Sequence, residues 1–197
     1  MEIIKEISLD LVNEKIRKFK DNERNGEKTL QMLFDDYTDN SDFRKVMAKT
    51  IVLDHIYSTR IRYIDMPYVA QNIVNNHKRI DELLRSGKRE YELYKIIAYI
   101  NIDGVYNAYS FATKYLSFIN KELYPIMDSY SRGLLKDYRE IYPDIPQIKG
   151  ENNYESFCVA FDAFRKKVIS ITGCYFSAKE IDMFIWQYAK DLKKDKG

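Results

Sequence analysis

Glycine and proline are scarce, at seven and four in 197 residues. So few breakers exclude a strand-rich sandwich hung on Gly/Pro turns and favour long helices. Cysteine is scarcer still. Cys158 and Cys174 form no CxxC pair, and with His55 and His77 they give no metal-ligand spacing. A disulfide framework and a metal site are therefore not expected, and two free thiols in a reducing compartment are. Charge of one sign is also missing. Thirty-two basic against 30 acidic residues leave +2, which rules out a uniformly basic nucleic-acid coat but not a local basic patch. The longest apolar run, Ile96 to Ile100, is too short to span a bilayer. The start, MEIIKEISLD, lacks the basic, apolar and small-residue segments of a signal peptide. A cytoplasmic chain without a membrane partner is expected. No P-loop, Gly-rich dinucleotide turn or Ser-His-Asp order is present.

What is abundant is apolar and aromatic material: 45% hydrophobic residues, with 17 Tyr and 10 Phe. Their spacing is helical nearly everywhere. Ser8 is placed to cap a first helix carrying Leu9, Val12, Ile16 and Phe19. After Gly26 a short helix carries Leu30, Leu33 and Phe34. Ser41 caps a third, whose apolar residues are Phe43, Met47, Ile51, Val52 and Ile56. Pro67 opens a helix that breaks at Asn75-Asn76, and a charged helix then runs to Gly87. Tyr91 to Ile100 reads as the most apolar helix, with Asp103-Gly104 turning the chain. Tyr142 to Gly150 is the best linker segment. Two long helices follow, the first closed by Gly173 and the second opened by a Ser177/Glu180 capping box. The fold class is all-α with about nine or ten helices. The chain reads as one domain, 1–197, or as two lobes sharing a cleft. In the second case a central lobe, 53–141, has 1–52 and 151–197 packed around it.

The chemically distinctive stretch is Ser110 to Leu134, SFATKYLSFINKELYPIMDSYSRGL. Lys114 lies roughly 130° from the centre of the apolar face of its helix, at about 100° per residue. Ser110, Thr113 and Ser117 share that polar side, a strip of small hydroxyl residues that a second molecule could approach. Pro125 biases Tyr124 away from helix, so Asp128 is placed to cap the next helix with an ionised carboxylate. A lysine amine and a carboxylate across a turn suit covalent chemistry at an electrophilic carbon. A solubilising lysine and a plain cap are the ordinary alternatives.

SFATKYLSF and YPIMDSY resemble the core of the helix-hairpin-helix DNA glycosylase superfamily, in particular its bacterial 8-oxoguanine-glycosylase-like proteins. LDHIYSTRI (Leu53 to Ile61) and IDMFIWQYAK (Ile181 to Lys190) also look like segments of that group. The resemblance implies a cleft between two helical lobes and duplex DNA with a damaged base as partner, with no metal or organic cofactor. It implies extrusion of the base, attack by a desolvated Lys114 amine on the sugar, and Asp128 as stabiliser of the cationic sugar. Ser110, Phe111, Thr113 and Ser117 would then lie on the nucleic acid. Tyr109 to Ala112 stands where such hairpins usually carry Gly-x-Gly. A nucleic-acid-binding module without the chemistry, and a helical protein-interaction protein, therefore stay open.

Three other features carry weaker signals. Arg60 and Arg62, beside Tyr57 and Tyr63, mix cation and aromatic as strand-binding surfaces do; a solvated loop with buried tyrosines is the alternative. Lys78 to Arg89 reads as a charged helix face. His55 reads as a hydrogen-bonded structural histidine, and Trp186 as a core anchor.

Overall fold

The computed structural model describes residues 4–22, 25–101, 105–150 and 152–194. The fold is all-α: ten helices and a single two-stranded hairpin among the described residues. The chain divides into two compact units, one formed by 1–23 with 125–197 and the other by 24–124.

The first unit holds α1 (Leu9–Asp21), α8 (Ser129–Ile141), α9 (Tyr154–Thr172) and α10 (Ala178–Lys194). Ser8 caps α1, its Oγ accepting from the Leu11 amide at 3.2 Å. That cap is worth about 1 kcal/mol. Burying Leu11, Val12, Ile16 and Phe19 is worth about 1.5–3 kcal/mol for each side chain, so packing rather than capping decides the helix. α10 packs on α1 and α8. The centre is aromatic: Tyr138 meets Phe164 at 5.0 Å, and Phe164 stacks on Phe184. The Tyr188 hydroxyl accepts from the Lys5 amide and the Tyr142 hydroxyl from the Ile7 amide, which pins the segment before α1. Gly173 ends α9 in the left-handed region, φ 68°, and Ser177 and Glu180 form their reciprocal cap at α10. The Tyr142 to Gly150 segment lies inside this unit, joining α8 to α9.

The second unit holds α2 (Asn25–Asp36), α3 (Phe43–Tyr57), α4 (Met66–Asn75), α5 (His77–Arg85), α6 (Tyr91–Ala98), β1 (Tyr99–Asn101), β2 (Val105–Asn107) and α7 (Tyr109–Ile119). Gly26 falls inside α2 rather than before it. The apolar run predicted as helix to Ile100 leaves the helix at Ala98 and enters β1. Strands of three residues, paired Ile100 to Tyr106, are too short for an alternating pattern to register. The Asp103-Gly104 turn lies outside the described residues.

α3 presents a different face from the one its most apolar residues predict. Val46, Lys49, Thr50 and Leu53 are buried, while Phe43 and Ile51 are exposed. Its cap is Asp42, not Ser41. The Ser41 amide and hydroxyl are both donated to Asp39, at 2.7 and 2.8 Å, which removes that hydroxyl from the helix start.

Candidate functional site

The β1–β2 hairpin returns the chain from α6 to α7, and the Ala108 amide closes it on the Ala98 carbonyl at 2.7 Å. Ala108 offers no side-chain cap to α7. A one-turn spacing places Lys114 beside Ser110. Its Nζ donates to Ser110 Oγ at 2.7 Å and lies 5.7 Å from the centre of the Tyr57 ring. Thr113 Oγ1 donates to the Ser110 carbonyl at 3.3 Å. The structure thus brings Lys114, Ser110 and Tyr57 together.

The strip of small hydroxyls is not the open surface expected of it. Every residue from Phe111 to Phe118 is buried, and Lys114 is 3% exposed. Phe111 packs on Tyr115, ring centres 5.6 Å apart. Phe111, Thr113 and Ser117, expected on the nucleic acid, are all buried side chains here. A short hydroxyl can bond back to the carbonyls of its own helix, as Thr113 does, and so be buried at little cost. Counting apolar residues alone misses that possibility.

Asp128 sits as expected at the start of α8, after the buried Pro125, Ile126 and Met127. Its Oδ1 accepts from the Tyr130 and Ser131 amides at 2.9 and 2.8 Å, and Ser131 Oγ accepts from the Asp128 amide. Oδ2 takes no hydrogen bond among the described residues. The carboxylate thus has one oxygen committed to the helix and one left for other chemistry. Lys114 belongs to the unit 24–124 and Asp128 to the other.

The connector between α3 and α4 is a held loop. Ser58 and Arg60 both adopt positive φ, 48° and 65°, the only non-glycine residues among those described to do so. The Asp54 carboxylate accepts from the Thr59 hydroxyl and the Ile61 amide. Arg62 donates to the buried Asp65 carboxylate at 2.6 and 3.0 Å, so its charge is matched. Arg60 has no acidic partner among the described residues. The tyrosines part company: Tyr57 donates to Glu27 at 2.7 Å, while Tyr63 is 80% exposed and Ile64 69%. The exposed Tyr63 thus follows directly on Arg62, in a loop with two positive-φ non-glycine residues, Ser58 and Arg60.

A second buried lysine escaped the sequence reading. Lys49, 1% exposed, donates to the Tyr37 carbonyl at 2.9 Å and Asn40 Oδ1 at 3.0 Å, between the rings of Phe34 and Tyr115. The Tyr115 hydroxyl donates to the same Asn40 oxygen at 2.9 Å. Burial pulls the amine down to about 8. The available signal was positional: Lys49 stands three residues after Val46 and four before Leu53, inside the stripe that packs. His55, by contrast, is exposed and its side chain makes no hydrogen bond among the described residues, so it is not the structural histidine expected. Arg79 is taken up by Glu92 and Glu82, in keeping with a charged face in water. Trp186 is half-buried rather than a core anchor. Both cysteines are free thiols. No group of acids, histidines and cysteines among the described residues could hold a metal, and no described helix is long and apolar enough to cross a membrane.

The family model HI_0787_N, described as an N-terminal domain, matches residues 11–123. An uncharacterised protein of Haemophilus influenzae is 30% identical over 156 residues, covering 78% of this chain and 71% of its own length. No solved structure matches the chain. The family match stops one residue short of the end of the 24–124 unit, so it takes in Lys114 and leaves out Asp128.

Proposed function

This chain belongs to the HI_0787_N family, and we propose that it is a DNA glycosylase and abasic-site lyase that removes a damaged base of the 8-oxoguanine kind through Lys114. The observation that carries this reading is the lysine itself: an amine almost wholly withdrawn from water, on the helix that follows a hairpin, with a hydroxyl partner at 2.7 Å. An amine nucleophile is activated by an apolar surround. In the proposed reaction the target nucleotide leaves the duplex. The Nζ lone pair forms a bond to C1′ as the C1′–N bond breaks, and the base departs with the electron pair and takes up a proton. Ring opening gives a protonated Schiff base. Loss of a C2′ proton then expels the 3′ phosphate. The glycosylase resemblance gives Asp128 the part of stabilising the cationic sugar. Ser110 holds the amine, and Arg60 with Arg62 lies on the backbone of the strand.

A second reading keeps DNA binding and omits the chemistry. It is favoured by the same burial, since the amine must leave Ser110 and gain access before it meets a sugar. Borohydride trapping separates the two. Duplexes carrying 8-oxoguanine, uracil or an abasic site are incubated with the protein and reduced. A covalent adduct that Lys114→Gln abolishes is the expected result. Salt-sensitive binding without an adduct leaves the binding module, and no binding at all leaves a helical protein-interaction protein.

A further inference from the structure

α4, MPYVAQNIVN, contains no charged residue, in a chain that is 31% charged. Met66, Val69, Ala70 and Ile73 are buried on one side of it. Ile64 and Tyr68, one turn apart, fall together on the other side, where Pro67, Gln71 and Asn75 are also exposed. Gln71 donates to Asn75 Oδ1 at 2.8 Å. The single 3-10 turn that leads into α4, Tyr63–Asp65, adds the Tyr63 ring at the upstream end. Tyr63 is 80% exposed, Ile64 69% and Tyr68 55%. Together these three side chains present on the order of 400 Å² of largely apolar surface, a patch of the size that marks an interaction site. The Arg62 charge beside it is matched by the buried Asp65, and Arg60 lies on the connector, before the helix begins. The face itself is neutral and apolar.

We propose that this face joins two copies of the chain in a two-fold dimer, Ile64 of each copy packing on Tyr68 of the other. The area fits. Apolar atoms make up about 55–65% of an interface, so the patch is the apolar share of roughly 650 Å² a side. A standard interface buries about 800 Å² a side, and one slightly smaller suits a weak dimer of about micromolar affinity. The charge fits as well. A two-fold contact sets a surface against its own image, and a charged face would meet like charge there. This one meets its image at no such cost. Nucleic acid and anionic lipid surfaces are held by several cations, and α4 offers none. The dimer needs no chemistry at Lys114 and goes beyond the glycosylase reading, whose Arg60 and Arg62 precede the face rather than form it.

Sedimentation of the full chain from about 1 to 300 µM reads the association directly. The weight-average mass should rise from 23.5 kDa toward twice that, and the rise should persist at high salt. Ile64→Lys and Tyr68→Glu each bury a charge against an apolar side chain, and each should weaken association at least about tenfold. Both positions are exposed, so helix content and denaturant midpoint should stay native and show that the loss is not unfolding. Mixed together, the two variants should recover association that neither shows alone, because the ammonium of one meets the carboxylate of the other across the interface. Lys114→Gln should dimerise as the native chain does, and Ile64→Lys should still form the borohydride adduct, which separates failure here from failure of the trapping experiment. A chain that stays monomeric, association that both variants leave intact, loss of association at high salt, or a mixture that stays monomeric would each overturn the proposal. A monomeric chain whose duplex binding is lost in Tyr68→Glu would also overturn it and assign the face to nucleic acid.

Discussion

Two populations of lysine divide this molecule. In the unit 24–124, Lys49 and Lys114 lie inside, each near an aromatic ring and each held by oxygen acceptors. In the other unit, Lys190 and Lys193 cover half-buried rings from the outside. The ring-to-amine contact is similar, and burial alone sets its consequence. Burial pulls the Lys49 amine down and makes it a hub for Tyr37, Asn40 and two rings; Lys193 stays in contact with water over its ring.

The comparison breaks first at Lys114. Lys114→Gln should lose all borohydride adduct, whereas Lys190→Gln/Lys193→Gln should retain it; equal loss in both would erase the distinction. Next is Lys49. Lys49→Ala opens a cavity and strands the Tyr37 carbonyl, so denaturant unfolding should show a loss of about 2–4 kcal/mol. Lys49→Met leaves the same Tyr37 carbonyl without its donor but keeps the volume and removes the buried charge, so it should cost less than Lys49→Ala.

The same pair of proteins tests the proton. Lys49 has its value pulled from 10.5 to about 8 by burial. Between those values the unfolded chain binds more protons, so stability rises with pH across that window, by on the order of 3 kcal/mol. The buried phenols of Tyr94, Tyr115 and Tyr138 are raised by burial and work the other way, their contribution being lost as pH climbs past 10. The native-minus-Lys49→Met difference isolates the lysine, and a flat difference from about pH 7 to 10 would show that the amine is not desolvated.

Smaller effects sharpen the contrast. Asp128→Asn keeps a capping oxygen and should change stability by only about a few tenths of a kcal/mol. It should lower adduct formation about a hundredfold if the carboxylate charge acts on the sugar. An Asp128→Asn protein as active as the native chain reduces Asp128 to a cap. Lys193→Ala should shift stability by less than about 1 kcal/mol.

Much of the scaffold was legible. Ser8, Pro67, Gly173, the Ser177/Glu180 box and the Asp128 cap act locally, through bonds spanning a few residues, and the sequence shows them directly. The β hairpin was not legible, because three-residue strands carry no period. The packed face of α3 was missed because a lysine occupies it; only Asn40, Tyr37 and Tyr115, distant in sequence, make that position tolerable. Lys114 was found as a residue but misplaced as a surface one, since neighbouring hydroxyls satisfied within the helix behave as core. The exposed Tyr63 was masked by the usual burial of tyrosine, and only the Asp54 and Asp65 anchors reveal a loop held to present it.

Peptide mapping of the reduced complex is the most direct test of the central claim. After borohydride reduction with an abasic duplex, digestion and mass spectrometry should place the sugar remnant on the peptide containing Lys114 and on no other. A remnant on Lys49, Lys190 or Lys193, or no remnant at all, would contradict it.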